Sequence, residues 1–200
     1  MSPKMVDRAE RQRSILSASA NVFAARGYRN ATMDEIAAAA GIAKGTLYLS
    51  YDSKEALFFA LFESFADTAT LEPDALSGHT DALEQIVEVL CAIGAKLDAD
   101  ALIVPLTLEF WSASGVEATG ERFGERYRAM LDMFSTQIVG ILRSGQQAGT
   151  VTQNQPLEAI TSSLLAIIDG LIVQRWVNPS LSIEAQLRDA LPPLLAGLRP

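Results

Sequence analysis

Apolar residues recur along this chain with helical spacing, and no stretch shows the alternation of a strand. From about Asp7, Ile15, Ala18, Val22 and Ala25 fall on one face at i, i+3, i+7 and i+10, and Gly27 supplies a stop. Thr32-Met33-Asp34-Glu35 sets a threonine three residues before a glutamate, the reciprocal capping box that satisfies two orphan amides. A second helix therefore starts there and runs through Ile36 to Ala40, where Gly41 cuts it. After Ile42-Ala43 a short helix is predicted from Lys44 to about Tyr51. Asp52-Ser53-Lys54-Glu55 then caps a fourth helix carrying Leu57, Phe58, Leu61, Phe62 and Phe65.

Glu72-Pro73 and Ser77-Gly78 break the pattern, and Thr80-Asp81 caps a helix through Ile86, Val89, Leu90 and Ile93. A further apolar helix is expected from Leu102 to Ser114, with Pro105 in its first turn or kinking it. Gly115 to Gly120 reads as a loop. Helical spacing resumes through Phe123, Tyr127, Met130, Leu131, Phe134, Ile138 and Ile141 until Gly145 and Gly149. Gln155-Pro156 opens a long helix that ends before Asn178-Pro179, and the last helix starts near Ser182 and bends at Pro192-Pro193. The fold class is all-α.

Composition narrows the class. The 200 residues are 49% hydrophobic and only 20% charged, with mean hydropathy +0.18, enough apolar surface for a sizeable core. Charges such as Asp98, Glu109, Asp132 and Asp169 interrupt every candidate bilayer-crossing stretch, so no membrane span is expected. The first residues turn charged where a signal peptide would need its apolar centre, which places the chain in the cytoplasm. One cysteine, Cys91, and one histidine, His79, exclude an internal disulfide and a Cys/His zinc cluster; no metal or cofactor is expected.

The net charge of −8 hides an asymmetry. Residues 1–60 carry eight basic and six acidic groups, whereas residues 61–200 carry eight basic and eighteen acidic ones. A mildly basic head on an acidic body is a hint of a polyanion-binding module. That head contains two short helices joined by a tight Gly-containing turn between Thr32 and Tyr51, a helix-turn-helix pattern. Ala37 suits a close helix crossing, Gly41 the left-handed turn, and Ile36, Ala40, Ile42 and Leu47 a small core. The second helix then presents Lys44, Gly45, Thr46 and Tyr48 outward, small residues for close approach to a major groove and donors for phosphates and base edges.

The run Thr32-Met33-Asp34-Glu35-Ile36-Ala37, Gly41 through Tyr48, and Ser53-Lys54-Glu55-Ala56-Leu57 resembles the N-terminal domain of the tetracycline-repressor (TetR) family. Ile15-Leu16-Ser17-Ala18 with Phe23-Ala24-Ala25-Arg26-Gly27-Tyr28 is similar to that family's first helix, so the resemblance covers roughly residues 10–65. Asp169-Gly170-Leu171-Ile172-Val173-Gln174-Arg175-Trp176 is similar to its penultimate, dimer-forming helix. The resemblance implies a helix-turn-helix DNA-binding domain over residues 1–55 and a helical ligand-binding and dimerisation domain over 56–200. It also implies recognition positions at Lys44, Gly45, Thr46 and Tyr48, continuing into Leu49 and Ser50, with phosphate contacts at Thr32 and Lys54. Ser50 departs from the pattern, standing where the family has an aromatic residue beside the DNA backbone, and Tyr51 takes the following, packing place. Arg8, Arg11 and Arg13 suit either the DNA backbone or minor groove, or a solvated first turn.

A single helix-turn-helix makes few contacts, so such modules dimerise and read half-sites about 34–36 Å apart or a multiple. The helix from Ala159 to Trp176 is apolar on two sides, with Ile160, Leu164, Ile167 and Leu171 on one and Leu165, Ile168 and Ile172 on the other. The face of Ile160, Leu164, Ile167 and Leu171, with Leu187 and Leu191 of the last helix, is expected to meet a second copy, and the other to pack on its own subunit. The resemblance implies a pocket for a small-molecule effector among the middle helices, for which Phe110, Trp111, Met130, Met133 and Phe134 are candidate lining; plain core packing is the favoured reading for each residue taken singly. Glu109 suits a cationic ligand or a surface position, Asp169 a pairing across the dimer, Cys91 a core position and His79 an exposed loop.

The expected function is a ligand-responsive transcriptional regulator, most simply a repressor, that binds a palindromic double-stranded operator as a homodimer. The alternative is an all-helical enzyme or small-molecule carrier with a vestigial helix-turn-helix. Against it, the chain has no G-x-G-x-x-G, phosphate loop or H-E-x-x-H, and a Ser/His/Asp triad would have to use His79, so no catalytic residue is assigned. An architectural DNA binder is disfavoured because the acidic body repels non-specific DNA.

Overall fold

A computed structural model of the chain describes residues 3–68, 81–114 and 120–200. Among these every regular element is helical: α1 Pro3–Asn30, α2 Met33–Ala39, α3 Lys44–Ser50, α4 Lys54–Thr68, α5 Ala82–Ala99, α6 Ile103–Ser114, α7 Gly120–Ala148, α8 Leu157–Val177 and α9 Ile183–Leu195, then a 3-10 turn at Ala196–Leu198. The all-α expectation holds. The breaks at Glu72-Pro73 and Ser77-Gly78, Thr80, His79 and residues 115–119 of the expected loop lie outside the described residues.

The contacts divide the chain into two compact units. The first holds Met1–Thr68 and Pro105–Gly124. In it α1 leaves helical geometry at Gly27 (φ 74°, ψ 159°), the predicted stop, and makes one more turn. Its interior is aromatic. Phe58 of α4 lies 4.8 Å from Phe23, 4.6 Å from Tyr28, 4.7 Å from Phe110 and 5.5 Å from Phe123, ring to ring. Contacts at these separations add about 0.5–1.5 kcal/mol per pair beyond the burial of the rings. Pro105 stands in the first turn of α6, where its missing N–H loses no helical bond.

The second unit holds Ala69–Val104 and Glu125–Pro200. Its core is built from Ile86, Val89 and Leu90 of α5, Ile138 and Leu142 of α7, Leu164, Leu165, Ile168, Leu171 and Ile172 of α8, and Ile183, Leu187, Leu191 and Leu195 of α9. Helices α5 and α9 pack so closely that a Cβ on Gly94 would lie 3.0 Å from the backbone of Glu184. Asp98, near the end of α5, accepts the N–H groups of Ile183 (3.1 Å) and Glu184 (3.1 Å) and the Ser182 hydroxyl (2.8 Å), closing the open end of α9. The helix α9 runs on through Pro192-Pro193 to Leu195.

The expectation that charges interrupt every long apolar stretch is corrected here. By length and composition α8 is apolar enough to cross a bilayer, because its 21 residues carry so few charges; in the fold its buried residues form part of the second unit's interior. Within the second unit the Tyr127 hydroxyl donates to Asp169 Oδ1 at 2.9 Å. Cys91 is buried, and burial pushes its thiol pKa up.

Candidate nucleic-acid interface

The surface begins at a cap. Thr32 is extended and its Oγ1 accepts the Glu35 N–H at 3.2 Å, while Glu35 Oε2 accepts the Thr32 N–H at 3.1 Å and the Thr32 hydroxyl at 3.0 Å. These bonds favour the ionised carboxyl, so the Glu35 pKa sits below its ordinary value. The capping box read from the sequence is thus formed, and Thr32 fixes the first turn of α2.

The turn that follows needs Gly41. Its φ of +66° lies in the left-handed region, which strains any residue with a Cβ. Behind the turn Ile36, Ala37 and Leu47 are buried, so α3 is held against α2 by one leucine. Everything else on α3 faces out or nearly so. Lys44, Gly45, Tyr48, Leu49 and Ser50 are exposed, Leu49 to 89% and Tyr48 to 40%, and Thr46 is half-buried. A methyl group on Gly45 would meet nothing within 4 Å, so the chain's own packing does not require glycine there. The Ser50 hydroxyl donates back to the Thr46 carbonyl at 3.4 Å, and Tyr51 is half-buried in the packing place expected of it.

Two lysines have partners that sequence reasoning did not find. Lys44 Nζ lies 2.6 Å from Asp34 Oδ1, an exposed pair whose hydrogen bond, more than its charge, raises the lysine pKa. Lys54 Nζ donates to the carbonyls of Arg29 (3.1 Å) and Ala31 (2.9 Å) and lies 4.9 Å from the centre of the Tyr28 ring. Two of its three donors are therefore taken up in holding the α1–α2 joint. Ten residues and a turn separate Asp34 from Lys44, a spacing that points to contact only once the turn is built. On α1, Arg11 and Arg13 are exposed; the side chain of Arg8 lies outside the described residues.

The other candidates separate. Phe110 is buried in the aromatic core of the first unit and Trp111 is half-buried beside it, whereas Phe134, buried, and Met130 and Met133, half-buried, belong to the second unit. No one unit gathers all five. Of the expected dimer residues, Leu164, Leu171, Leu187 and Leu191 are buried within their own unit, and Ile160 and Ile167 are half-buried. The apolar side chains that α8 and α9 leave open are instead Val173, Trp176, Val177 and Leu194, with Val177 exposed to 73%, Leu194 to 60% and Trp176 to 59%.

The comparisons agree with this arrangement. The family described as "Bacterial regulatory proteins, tetR family" matches residues 15–61, and "BetI-type transcriptional repressor, C-terminal" matches residues 79–199. The HTH-type transcriptional regulator YfiR of Bacillus subtilis is 27% identical over 176 residues, 86% of this chain and 84% of that protein. The HTH-type transcriptional regulator BetI of Rhizobium meliloti is 27% identical over 186 residues, 92% and 88% of the two chains. The crystal structure of the Bacillus subtilis transcriptional regulator FadR in complex with stearoyl-CoA has the same fold: TM-score 0.77 at 24% identity, covering 93% of this chain and 98% of that one. With a helix-turn-helix that exposes its second helix and two family matches that together span most of its length, the chain belongs to the TetR family of bacterial transcriptional regulators, with a C-terminal region of the BetI type.

Proposed function

We propose that the chain is an effector-responsive repressor that binds a palindromic DNA operator as a homodimer. The observation that carries this reading is α3, held by the buried Leu47 while Lys44, Gly45, Tyr48, Leu49 and Ser50 stand open. A two-turn helix anchored on one side suits a body that enters a major groove. In this reading Lys44, Gly45, Thr46, Tyr48, Leu49 and Ser50 meet bases and backbone, and Thr32 and the remaining donor of Lys54 meet phosphates. Residues 1–55 bind DNA and residues 56–200 bind the effector and the second subunit. The dimer face is the exposed side of α8 and α9 around Trp176, Val177 and Leu194, flanked by Ile160 and Ile167. Repression is supported by the family's description as a repressor. The effector is a small molecule, a reading supported by the structure of the similar FadR in complex with stearoyl-CoA, and the compartment is the cytoplasm.

The switch is a population shift: the effector favours a conformer whose two α3 helices no longer fit consecutive major grooves. The test is selection of duplexes from a randomised 40-base-pair library with the purified protein. Enrichment of a palindrome, and binding to it weakened roughly tenfold or more by Lys44→Ala and by Tyr48→Ala, is the expected result, each change removing about 1–3 kcal/mol of contact. Failure to enrich any sequence refutes the reading. Release of the selected duplex is then screened with acyl-CoA thioesters and other metabolites; an effector that leaves operator affinity unchanged overturns the switch.

A further inference from the structure

At Gly27 the first helix turns out of helical geometry (φ 74°, ψ 159°), so the Tyr28 N–H loses its place in the helix ladder. A carboxylate 81 residues further along takes it. Tyr28 N–H donates to Glu109 Oε2 of α6 at 2.8 Å, in a part-buried position. The other oxygen, Oε1, lies 3.3 Å from where a Cβ on Gly27 would stand, so a side chain there would need a left-handed φ and would also press on the carboxylate. From this point to the cap of α2 the joint is anchored step by step. The Ala31 N–H returns to the Gly27 carbonyl at 3.1 Å, Lys54 holds the Arg29 and Ala31 carbonyls, and Thr32 closes the capping box. The Tyr28 ring stacks on Phe58 at 4.6 Å, and Phe58 meets Phe110, the neighbour of Glu109 on α6, at 4.7 Å.

We propose that Glu109 is a positioning residue for DNA binding: by holding the Tyr28 N–H it fixes the α1–α2 joint, and through that joint the angle at which α3 is offered to DNA. This rests on the reading that α3 binds DNA. Glu109 acts through the backbone of Tyr28, and a charge-assisted bond to a carboxylate is stronger than one to a neutral acceptor. The joint bears on α3 because only two residues separate Asn30 from the start of α2 and α3 is locked to α2 through the buried Ile36, Ala37 and Leu47. The carboxylate read from sequence as a surface group or a ligand contact thus has an internal use.

The experiment compares wild type, Glu109→Ala and Glu109→Gln in three measurements: affinity for the best duplex selected by the wild type, hydrogen exchange at the Tyr28 amide, and thermal stability. Glu109→Ala should expose the Tyr28 amide to faster exchange and weaken operator binding about tenfold, the factor carried by about 1.4 kcal/mol. Glu109→Gln keeps an acceptor oxygen and should restore most of the affinity, to within about threefold of wild type. A merely structural role would lower the melting temperature and leave the folded protein's affinity unchanged, and that result overturns the proposal. Unchanged exchange at Tyr28 in Glu109→Ala overturns it as well. If the alanine variant does not fold, Glu109→Asp, which withdraws the carboxylate by one methylene, is read in its place with the same two criteria. A wild type that selects no duplex fails the underlying reading and is recognised before any variant is made.

Discussion

Removing the Asp98 carboxylate should loosen α9 from α5 and cost about 3 kcal/mol of stability. The carboxylate accepts from Ser182 Oγ (2.8 Å), Ile183 N (3.1 Å) and Glu184 N (3.1 Å) and forms an ion pair with Arg175, whose Nη1 lies 2.9 Å from Oδ1. In Asp98→Ala two amides at the start of α9 lose an acceptor, a capping loss of about 1 kcal/mol. Ser182 continues to cap Ala185, which keeps that figure from rising. Arg175 loses its ion-pair partner but keeps the bond from Nη2 to the backbone carbonyl of residue 98 at 3.3 Å. A fully buried ion pair broken on one side costs about 3–5 kcal/mol, but the two side chains here are 18% and 19% exposed and Arg175 keeps its bond to the Leu181 carbonyl. About 2 kcal/mol is the discounted figure for the pair. At about 2–4 °C per kcal/mol for a chain of this size, the melting temperature should fall by about 6–12 °C.

The assay is thermal and urea unfolding at one fixed protomer concentration, since association of subunits adds to apparent stability by mass action. Asp98→Asn keeps one acceptor oxygen and should lose about half as much. Arg175→Met alone and with Asp98→Ala completes a double-mutant cycle, in which a coupling of about 1–2 kcal/mol is expected. A loss under about 0.5 kcal/mol for Asp98→Ala, or simple additivity in the cycle, refutes the reasoning. The functional stake is the outward face of α8 and α9, whose two helices this network holds in register.

Asp34→Asn frees Lys44 from its carboxylate partner and should tighten binding to unrelated duplexes and operator alike by a few-fold at low salt, read by fluorescence anisotropy; equal affinities would show that the pair imposes no penalty on DNA binding. Trp176→Glu places a charge among the exposed apolar side chains at the end of α8 and should shift the protein to monomer in sedimentation at micromolar concentration, with operator affinity falling in step; a dimer of unchanged stability locates the interface elsewhere. For Asp169, burial raises the carboxyl pKa above its ordinary 3.8 and outweighs the Tyr127 hydrogen bond, which lowers it. A raised acid holds its proton more tightly in the folded chain, so its contribution favours folding below pH 3.8 and is lost as pH rises through the raised value. Asp169→Asn should therefore be more stable than wild type at pH 7 and show a flatter stability profile on the acid side of neutrality; a variant less stable at pH 7 refutes this sign.

Features that act over one or two helical turns were legible in the chain. The Thr32–Glu35 cap, the stop at Gly27, the turn at Gly41, the start of α9 at Ser182 and the single inward leucine of α3 all follow from spacing and residue type, and each is present. Features that join distant segments were not. Nothing near Glu109 marks it as a partner for Tyr28, and nothing near Asp98 marks it as a cap for a helix that begins 85 residues later. Such ties depend on which helices become neighbours, and one-dimensional periodicity carries no term for that.

The helix α8 shows where the boundary between the two lies. Its sequence is apolar on more than one side, which is sufficient to require two partners and insufficient to say which side each partner takes. Packing decides: α9 lies against α5 through Gly94 and Asp98, and Leu164 and Leu171 of α8 turn inward together with Leu187 and Leu191 of α9. The rotation of α8 then leaves Val173, Trp176 and Val177 outside, an apolar surface that water disfavours and that a second copy of the same surface would cover. Leu164 and Leu171, expected on the face toward a second copy, are thus buried within their own unit. The same rule explains why Lys44 and Lys54, alike as basic residues in a DNA-binding motif, differ in the folded chain. Lys44 is held by one exposed carboxylate, whereas Lys54 holds two backbone carbonyls and an aromatic face, so removing Lys54 should disturb the α1–α2 joint before it removes any contact with DNA.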